Sequence, residues 1–333
     1  MNQSELADPT IALAEATETD AKVGYLFAYF VSELSEQGEQ IRFAVSLGST
    51  LTAWRELNDG EPALVSHLGD EGVRDPFILR DERRGKFVII ATDLRVWPTQ
   101  DWRRSYEHGS RSIVVWESDD LITWSEPWLL EVAPEHSGNA WAPKAFWSDE
   151  REAWVIFWAS IVYPNGDRSI ATPQTMFMAT TTDFRTVSAA ATYVERSTSI
   201  IDMTFLEHDG QWYRFSKAEI AHAGDEEVGN HILLERGSSL LSGDFEPFVV
   251  DIGKDVMVRG EGPAVATSLD GTRWNLLIDE FGLRGYLLFE TDDLTSGSWN
   301  HVHDAQLPRG ARHGSVLAIS ERERQRLVSS YVR

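Results

Sequence analysis

The sequence predicts an all-β fold, a five-bladed β-propeller whose fifth blade is closed by strands from both chain ends, and three observations predict it. Five short stretches open a strand in the same way: Arg74-Asp75-Pro76-Phe77, Trp141-Ala142-Pro143-Lys144, Ile201-Asp202-Met203-Thr204, Gly260-Glu261-Gly262-Pro263 and Arg312-His313-Gly314-Ser315. Their second residues, at 75, 142, 202, 261 and 313, are separated by steps of 67, 60, 59 and 52 residues, the loose period of a repeat architecture. Three of those positions read as equivalent carboxylates. The other two observations are a shared plan of strands after each opening and an incomplete last unit whose missing strands sit at the N-terminus.

The plan runs in order along the chain. After Asp75 come residues 86–91 and 112–116, then the turn Ser118-Asp119-Asp120-Leu121 leading into Trp124. The second unit repeats this as 154–158, 176–179 and Thr182-Asp183-Phe184, and the third as 212–215, 232–234 and Gly243-Asp244-Phe245. The fourth gives 274–278, 286–289 and Asp292-Asp293-Leu294 ahead of Trp299. Each run is short, β-branched or aromatic, and bounded by Gly, Asp, Asn or Ser, which is a strand and turn signature rather than a helical period. The turn Asp is placed to bond its own backbone, and the aromatic after it to pack on a neighbouring sheet. Trp124 is read as such a packing residue. After His313 one further strand is expected at 326–332, and the remaining strands of that unit at 24–30 and 41–45, followed by Ser49-Thr50-Leu51 and Trp54. Joining the two chain ends in one blade protects strand edges that would otherwise template aggregation.

Composition narrows the function. The chain has 333 residues, 42% of them hydrophobic and 11% aromatic, enough for one large all-β core. Thirty basic residues against 53 acidic ones give a net charge of -23, which repels nucleic acid and anionic membrane surfaces. Cysteine is absent, so no disulfide or thiolate metal site exists. The first twenty residues carry five acids, no Lys or Arg and no apolar run, which leads us to expect a flexible acidic leader at 1–21, a single propeller domain at 22–333 and a cytoplasmic location. No stretch has the roughly eighteen apolar residues of a membrane span. Nothing in the sequence fixes an oligomeric state.

Taken singly, the opening residues have duller readings. Asp before Pro commonly just begins an extended segment, a lone histidine is usually a hydrogen-bonded core residue, and acid pairs such as Asp119-Asp120 and Glu226-Glu227 read as solvated surface. Their periodic placement is what makes them a candidate site, because inner strands of a propeller converge on one axis. Asp75, Asp202, Glu261 and His313 would then meet in one funnel.

The ordered set Arg-Asp-Pro, Ile-Asp-Met, Gly-Glu-Gly-Pro and Arg-His-Gly-Ser resembles glycoside hydrolase family 43, the five-bladed arabinofuranosidases, xylosidases and related enzymes, over about residues 22 to 333. The resemblance implies Asp75 as general base, Asp202 as the group that tunes the acid's pKa, and Glu261 as general acid. It also implies a hydrated metal ion, commonly calcium, beside His313, though no cofactor is required for the chemistry. The one departure is that about fifty residues of blade five precede the first motif, a permuted start that still closes the ring. Inverting hydrolysis needs one protonated and one ionised carboxyl on opposite faces of the sugar. Asp202 near Glu261 would disfavour ionisation there, and Arg74 or backbone amides would keep Asp75 charged. Trp97, Trp102, Trp141, Trp158 and Phe281 are candidate sugar platforms, and Asp93, Arg284 and Arg312 candidate hydroxyl ligands. The expected substrate is an oligosaccharide or glycoside attacked at its end, an α-L-arabinofuranoside first, with β-D-xylosides and β-D-galactofuranosides as alternatives. A retaining fructosidase would need a Trp-Met-Asn-Asp-Pro and a Glu-Cys motif, and the chain has neither. A non-catalytic carbohydrate-binding propeller would have no reason to keep three acids at the axis.

Overall fold

The computed structural model describes residues 21–218 and 230–331. The chain opens with β1 (Lys22–Phe30), β2 (Arg42–Ser46) and β3 (Trp54–Glu56). It then lays down four complete blades. Blade one is β4 (Val73–Asp81), β5 (Lys86–Asp93), β6 (Ser112–Ser118) and β7 (Trp128–Glu131), with a short helix, α1 (Trp102–Glu107), between β5 and β6. Blade two is β8 (Trp141–Ser148), β9 (Ala153–Ser160), β10 (Thr175–Thr181) and β11 (Ala191–Val194). Blade three is β12 (Ile200–His208), β13 (Gln211–Ala218), β14 (Ile232–Gly237) and β15 (Glu246–Ile252), and blade four is β16 (Glu261–Thr267), β17 (Trp274–Glu280), β18 (Gly285–Thr291) and β19 (Asn300–His301). Last come β20 (Arg312–Ser320) and a helix, α2 (Glu321–Tyr331). The fifth sheet has the order β20-β1-β2-β3, so the C-terminal strand is innermost and the N-terminal strands complete its blade, as expected. Antiparallel pairing from Leu26 opposite Leu317 to Ala28 opposite Ser315 makes this closure.

The apolar runs lie flat between blades. In β5, Phe87, Ile89 and Ala91 join a cluster with blade five, while the alternate residues Val88 and Ile90 join a cluster with blade two. The period of two along a strand thus places successive side chains in different inter-blade layers, and a continuous hydrophobic run is what such a strand needs. Five such clusters close the ring. Each fully buried Val, Leu or Ile contributes roughly 1.5–3 kcal/mol. The turn Asp residues act as anticipated: Asp120 Oδ1 accepts from the N–H groups of Ile122 and Thr123 at 2.9 and 2.8 Å, and Asp183 Oδ1 from those of Arg185 and Thr186. The turn tryptophans are packing residues, with Trp54 and Trp124 each donating Nε1–H to the carbonyl three residues back.

Two expectations are corrected. The run at 326–332 is not a strand: residues 321–331 form α2, and Val332 lies outside the described residues. Ser320 and Glu323 cap this helix reciprocally, Glu323 N–H donating to Ser320 Oγ and Ser320 N–H to Glu323 Oε2 at 2.7 Å. That is a capping box, legible in Ser-x-x-Glu, and Leu327 with Val328 and Tyr331 then covers the cluster between blades five and one. The expected acidic leader falls outside the described residues except for Ala21, and so does the pair Glu226-Glu227.

The second correction concerns register. Every inner strand bulges near its start: the pairs run Arg74 with Thr92 then Phe77 with Ile90, Ile201 with Lys217 then Thr204 with Phe215, and Glu261 with Asp279 then Ala264 with Leu277. In the first four blades the residue after the first pair is left-handed, Asp75 (φ 54°), Ala142 (φ 52°), Asp202 (φ 59°) and Gly262 (φ 58°). Gly262, not Glu261, is therefore the counterpart of Asp75 and Asp202. Asp and Gly both tolerate this conformation, and a Cβ on Gly262 would lie 2.6 Å from the His313 ring. Glu261 stands one residue earlier, in the row of Arg74, Trp141, Ile201 and Arg312.

Candidate active site

The bulges matter because they turn side chains off the sheets and onto the axis. A cavity of about 330 Å³ opens there, lined by Arg74, Asp75, Trp102, Trp141, Asp202, Glu261, Phe281, Arg312 and His313 among the residues singled out in the sequence. Phe30, Glu33, Tyr106 and Lys217 also line it, with Leu94, Ile201 and Gly282, and the first four were not foreseen. Larger recesses of about 470 and 460 Å³ lie at the rim of blades four and five and beside α2, but no set of inner-strand acids converges in either.

Asp75 sits at the floor and is held from several sides. Its Oδ1 lies 2.9 Å from His313 Nδ1, and its Oδ2 accepts from Thr92 Oγ1 at 2.7 Å. Thr92 in turn accepts from Ala142 N–H at 2.8 Å, which ties the carboxylate to the bulge of blade two. Burial alone would push the Asp75 carboxyl up. The His313 charge and hydrogen bond, the Thr92 hydrogen bond and the Lys144 charge outweigh it and hold the group well below the usual carboxylate range. His313 moves the opposite way: burial would lower it, but Asp75 and Asp202 raise it above its ordinary value. Arg74, which the sequence reading offers as a partner that keeps Asp75 charged, does not serve it. Its guanidinium goes to buried Glu39, with Nε at 2.9 Å, and lies over the rings of Trp102 and Phe30.

Glu261 stands nearer the mouth. Lys217 Nζ donates to its Oε2 at 3.0 Å and Arg312 Nη2 to its Oε1 at 3.4 Å. Lys217 comes from β13 and rests 4.2 Å from the Phe281 ring centroid. Arg312 also binds Glu33 at 2.7 Å and buried Asp279 at 2.9 Å. Asp202 lies between the two ends. It accepts from Gly262 N–H at 3.0 Å, and burial, helped by the charges of Glu261 and Asp75 against those of His313 and Lys217, raises its carboxyl. Tyr106, four residues after Trp102 on α1, packs at 4.7 Å against Trp141.

Four of the candidates stand elsewhere. Trp158 is completely buried in the cluster between blades one and two, stacked on Phe177, and reaches no ligand. Asp93 clamps a loop by accepting from Asp70 N–H at 2.8 Å, and burial pushes it up to about 6. Trp97 donates its backbone N–H to Glu39, and Arg284 pairs with Glu280 beside a different surface recess.

The residues do not fit a calcium ion beside His313. Even a hydrated calcium ion, with most of its six to eight oxygens from water, needs unspent negative charge around it, yet both oxygens of Asp75 already serve His313 and Thr92, and the described residues hold no group of three or more His, Cys, Asp or Glu able to bind a metal. Lys144 adds a buried positive charge near both aspartates.

Known proteins resemble this chain. A family model described as "Probable glycosyl hydrolase domain", of the glycoside hydrolase 43-related type, matches residues 20–325. An alpha-L-arabinofuranosidase of Bifidobacterium longum subsp. longum is 28% identical over 332 residues, covering 90% of this chain and 31% of the relative, so the chain spans about a third of that protein's length. Among solved structures, an exo-1,5-alpha-L-arabinanase from a bovine ruminal metagenomic library is 12% identical, with 86% of this chain and 98% of that one covered and a TM-score of 0.56. An endo-1,4-beta-xylanase from Bacteroides thetaiotaomicron is 13% identical over 83% of this chain and 90% of that one, also with a TM-score of 0.56. At such identities the structures share the fold alone.

Proposed function

Because the chain belongs to the family of glycosyl hydrolase domains related to glycoside hydrolase family 43, we propose that it is an exo-acting, inverting glycosidase releasing terminal furanosyl or pentosyl residues, with α-L-arabinofuranosides as first substrates. β-D-Xylosides and β-D-galactofuranosides are the alternatives within the same chemistry. The observation that carries the reading is the meeting of Asp75, Asp202 and Glu261, from three different blades, in one cavity.

In this mechanism Asp75, held ionised at the floor, takes a proton from water as that water attacks the anomeric carbon. Glu261, nearer the mouth, gives a proton to the departing oxygen. Asp202 lies beside Glu261, and the repulsion between the two carboxyls is reciprocal. The cavity of about 330 Å³ is open at one end. That room suits a single terminal sugar, with Trp102, Tyr106, Trp141 and Phe281 as aromatic walls.

The test is a panel of chromogenic arabinofuranoside, xyloside and galactofuranoside with wild type and Glu261→Gln. The arabinofuranoside is expected to be cleaved fastest, with inverted configuration of the first-formed sugar by NMR. Undiminished activity of the variant on an arabino-oligosaccharide, whose leaving group does need a proton, removes Glu261 as the acid, and a retained configuration removes the inverting mechanism.

A further inference from the structure

Lys144 is the buried charge to which the proposed reaction gives no task. It stands on inner strand β8, is 1% exposed, and its Nζ has no hydrogen-bond partner among the described residues. Its Nζ lies 5.7 Å from the centroid of the Phe77 ring. The Nε2 of His313 is likewise buried and unpartnered. Removing an ammonium from water costs several kcal/mol unless opposite charge compensates it. The compensation comes from the axis: Lys144 interacts electrostatically with Asp75 and Asp202. Four groups thus meet at the axis, two acids and two bases, and the bases are Lys144 and His313.

We propose that Lys144 is the fixed cation of the propeller axis, a positioning residue for Asp75 and Asp202 that takes the electrostatic place of a metal ion beside His313. A divalent cation there would add its charge to that of Lys144 and His313, while the oxygens of Asp75 and Asp202 are already engaged by His313, Thr92 and Gly262. The ammonium is covalently part of the chain, needs no loading, and confines the aspartates by charge. Burial lowers its own pKa, and the two aspartates oppose that fall, so the charge and its partners depend on one another. The positioning role rests on the glycosidase reading; the exclusion of metal does not.

Two measurements test this. Wild type, stripped with a chelator and equilibrated with calcium, is expected to bind no stoichiometric calcium by calorimetry and elemental analysis and to melt at the same temperature throughout. One calcium per chain, or a melting temperature that falls on chelation and returns with calcium, overturns the proposal, and this arm needs no turnover. The second is the pH profile of kcat/KM on chromogenic arabinofuranoside for Lys144→Met and Lys144→Arg. Asp75 faces His313 of β20, Thr92 of β5, Lys144 of β8 and Asp202 of β12, so loss of the ammonium alone is expected to move the acidic limb upward by about one pH unit, tenfold at the low-pH end. Lys144→Arg is expected to keep the wild-type limb. An unmoved limb in folded Lys144→Met overturns the positioning role. If Lys144→Met does not fold, a shifted limb in Lys144→Arg overturns it instead. Absence of any glycosidase turnover in wild type would count against the function, and the calcium arm would still decide the metal question.

Discussion

The two ends of the cavity hold their carboxylates by opposite means. At the floor, Asp75 is fixed by a short hydroxyl side chain and an imidazole, both buried, each within 2.9 Å. At the mouth, Glu261 is held by the long side chains of Lys217 and Arg312, with its own side chain 19% exposed. A base that must stay ionised and aimed at one water gains from rigid buried partners. A proton donor that must meet a leaving group gains from partners that can swing aside. Under the proposed mechanism the contrast separates the two roles more sharply than residue type does, because both groups are carboxylates.

The largest expected effect breaks the symmetry directly. Asp75→Asn should lower kcat about 10²–10⁴-fold on every substrate, since water activation is needed whatever leaves. Glu261→Gln should lose as much on natural oligosaccharides but markedly less on aryl glycosides, whose leaving groups need little protonation. Measuring both variants on both substrate types settles it. Equal leaving-group dependence would erase the distinction between floor and mouth.

The floor's rigidity should also appear in stability. His313 is raised above 6.5, so its pairing with Asp75 stabilises fully below that value and is lost as pH rises through the raised one. Asp75 is depressed below 3.8, so its share is present above 3.8 and lost as pH falls through the depressed value. The stability gap between wild type and His313→Gln, by denaturant titration, should therefore be greatest, about 3–5 kcal/mol, between pH ~4 and ~6.5, and narrow as pH rises further. A gap that does not vary with pH would mean that packing, not charge, holds the floor.

A smaller change tests the other partner of Asp75. Thr92→Val removes the hydrogen bond to Oδ2 and leaves Ala142 N–H without its acceptor, at a cost of about 1–3 kcal/mol. The Asp75 pKa should rise, moving the acidic limb of kcat/KM upward by up to about one unit, with little change at neutral pH. An unshifted limb would show that His313 and Lys144 suffice.

How much of this could be read in advance depends on what each position answers to. The blade openings were legible because a bulge repeats its demands on every inner strand, and the two-faced burial of runs such as Phe87 to Ala91 follows from blade stacking. The same repeat points one residue away at Glu261, since both Asp and Gly occupy the left-handed position and the carboxylate of this blade stands in the neighbouring row. The C-terminal helix was misread from its apolar residues although its Ser320–Glu323 capping box stood in the sequence. Lys217, Glu33 and Tyr106 carried no motif: they come from a second strand, a loop and a short helix, and only closure of the ring brings them to the axis. Tyr106 alone left a trace, four residues after Trp102, a spacing that places two aromatics on one helical face. Trp158 shows the reverse error. A large aromatic near an inner strand end serves a core as readily as a sugar, and in this chain the inter-blade layer takes it.

The smallest expected effect separates two arginines that the sequence placed together. Arg312 joins Glu261, Glu33 and Asp279 inside the cavity, whereas Arg284 binds Glu280 and the Val256 carbonyl at a half-exposed site on another recess. Arg284→Met should leave kcat and KM unchanged and cost about 1–3 kcal/mol of stability, because it leaves the buried Glu280 with only the Val258 N–H as a donor among the described residues. Arg312→Met removes a cation that three carboxylates share and should strip activity from a folded protein. If the two variants behaved alike, the cavity would extend beyond its present walls toward blade four, and the mouth would be wider than a pocket for one terminal sugar.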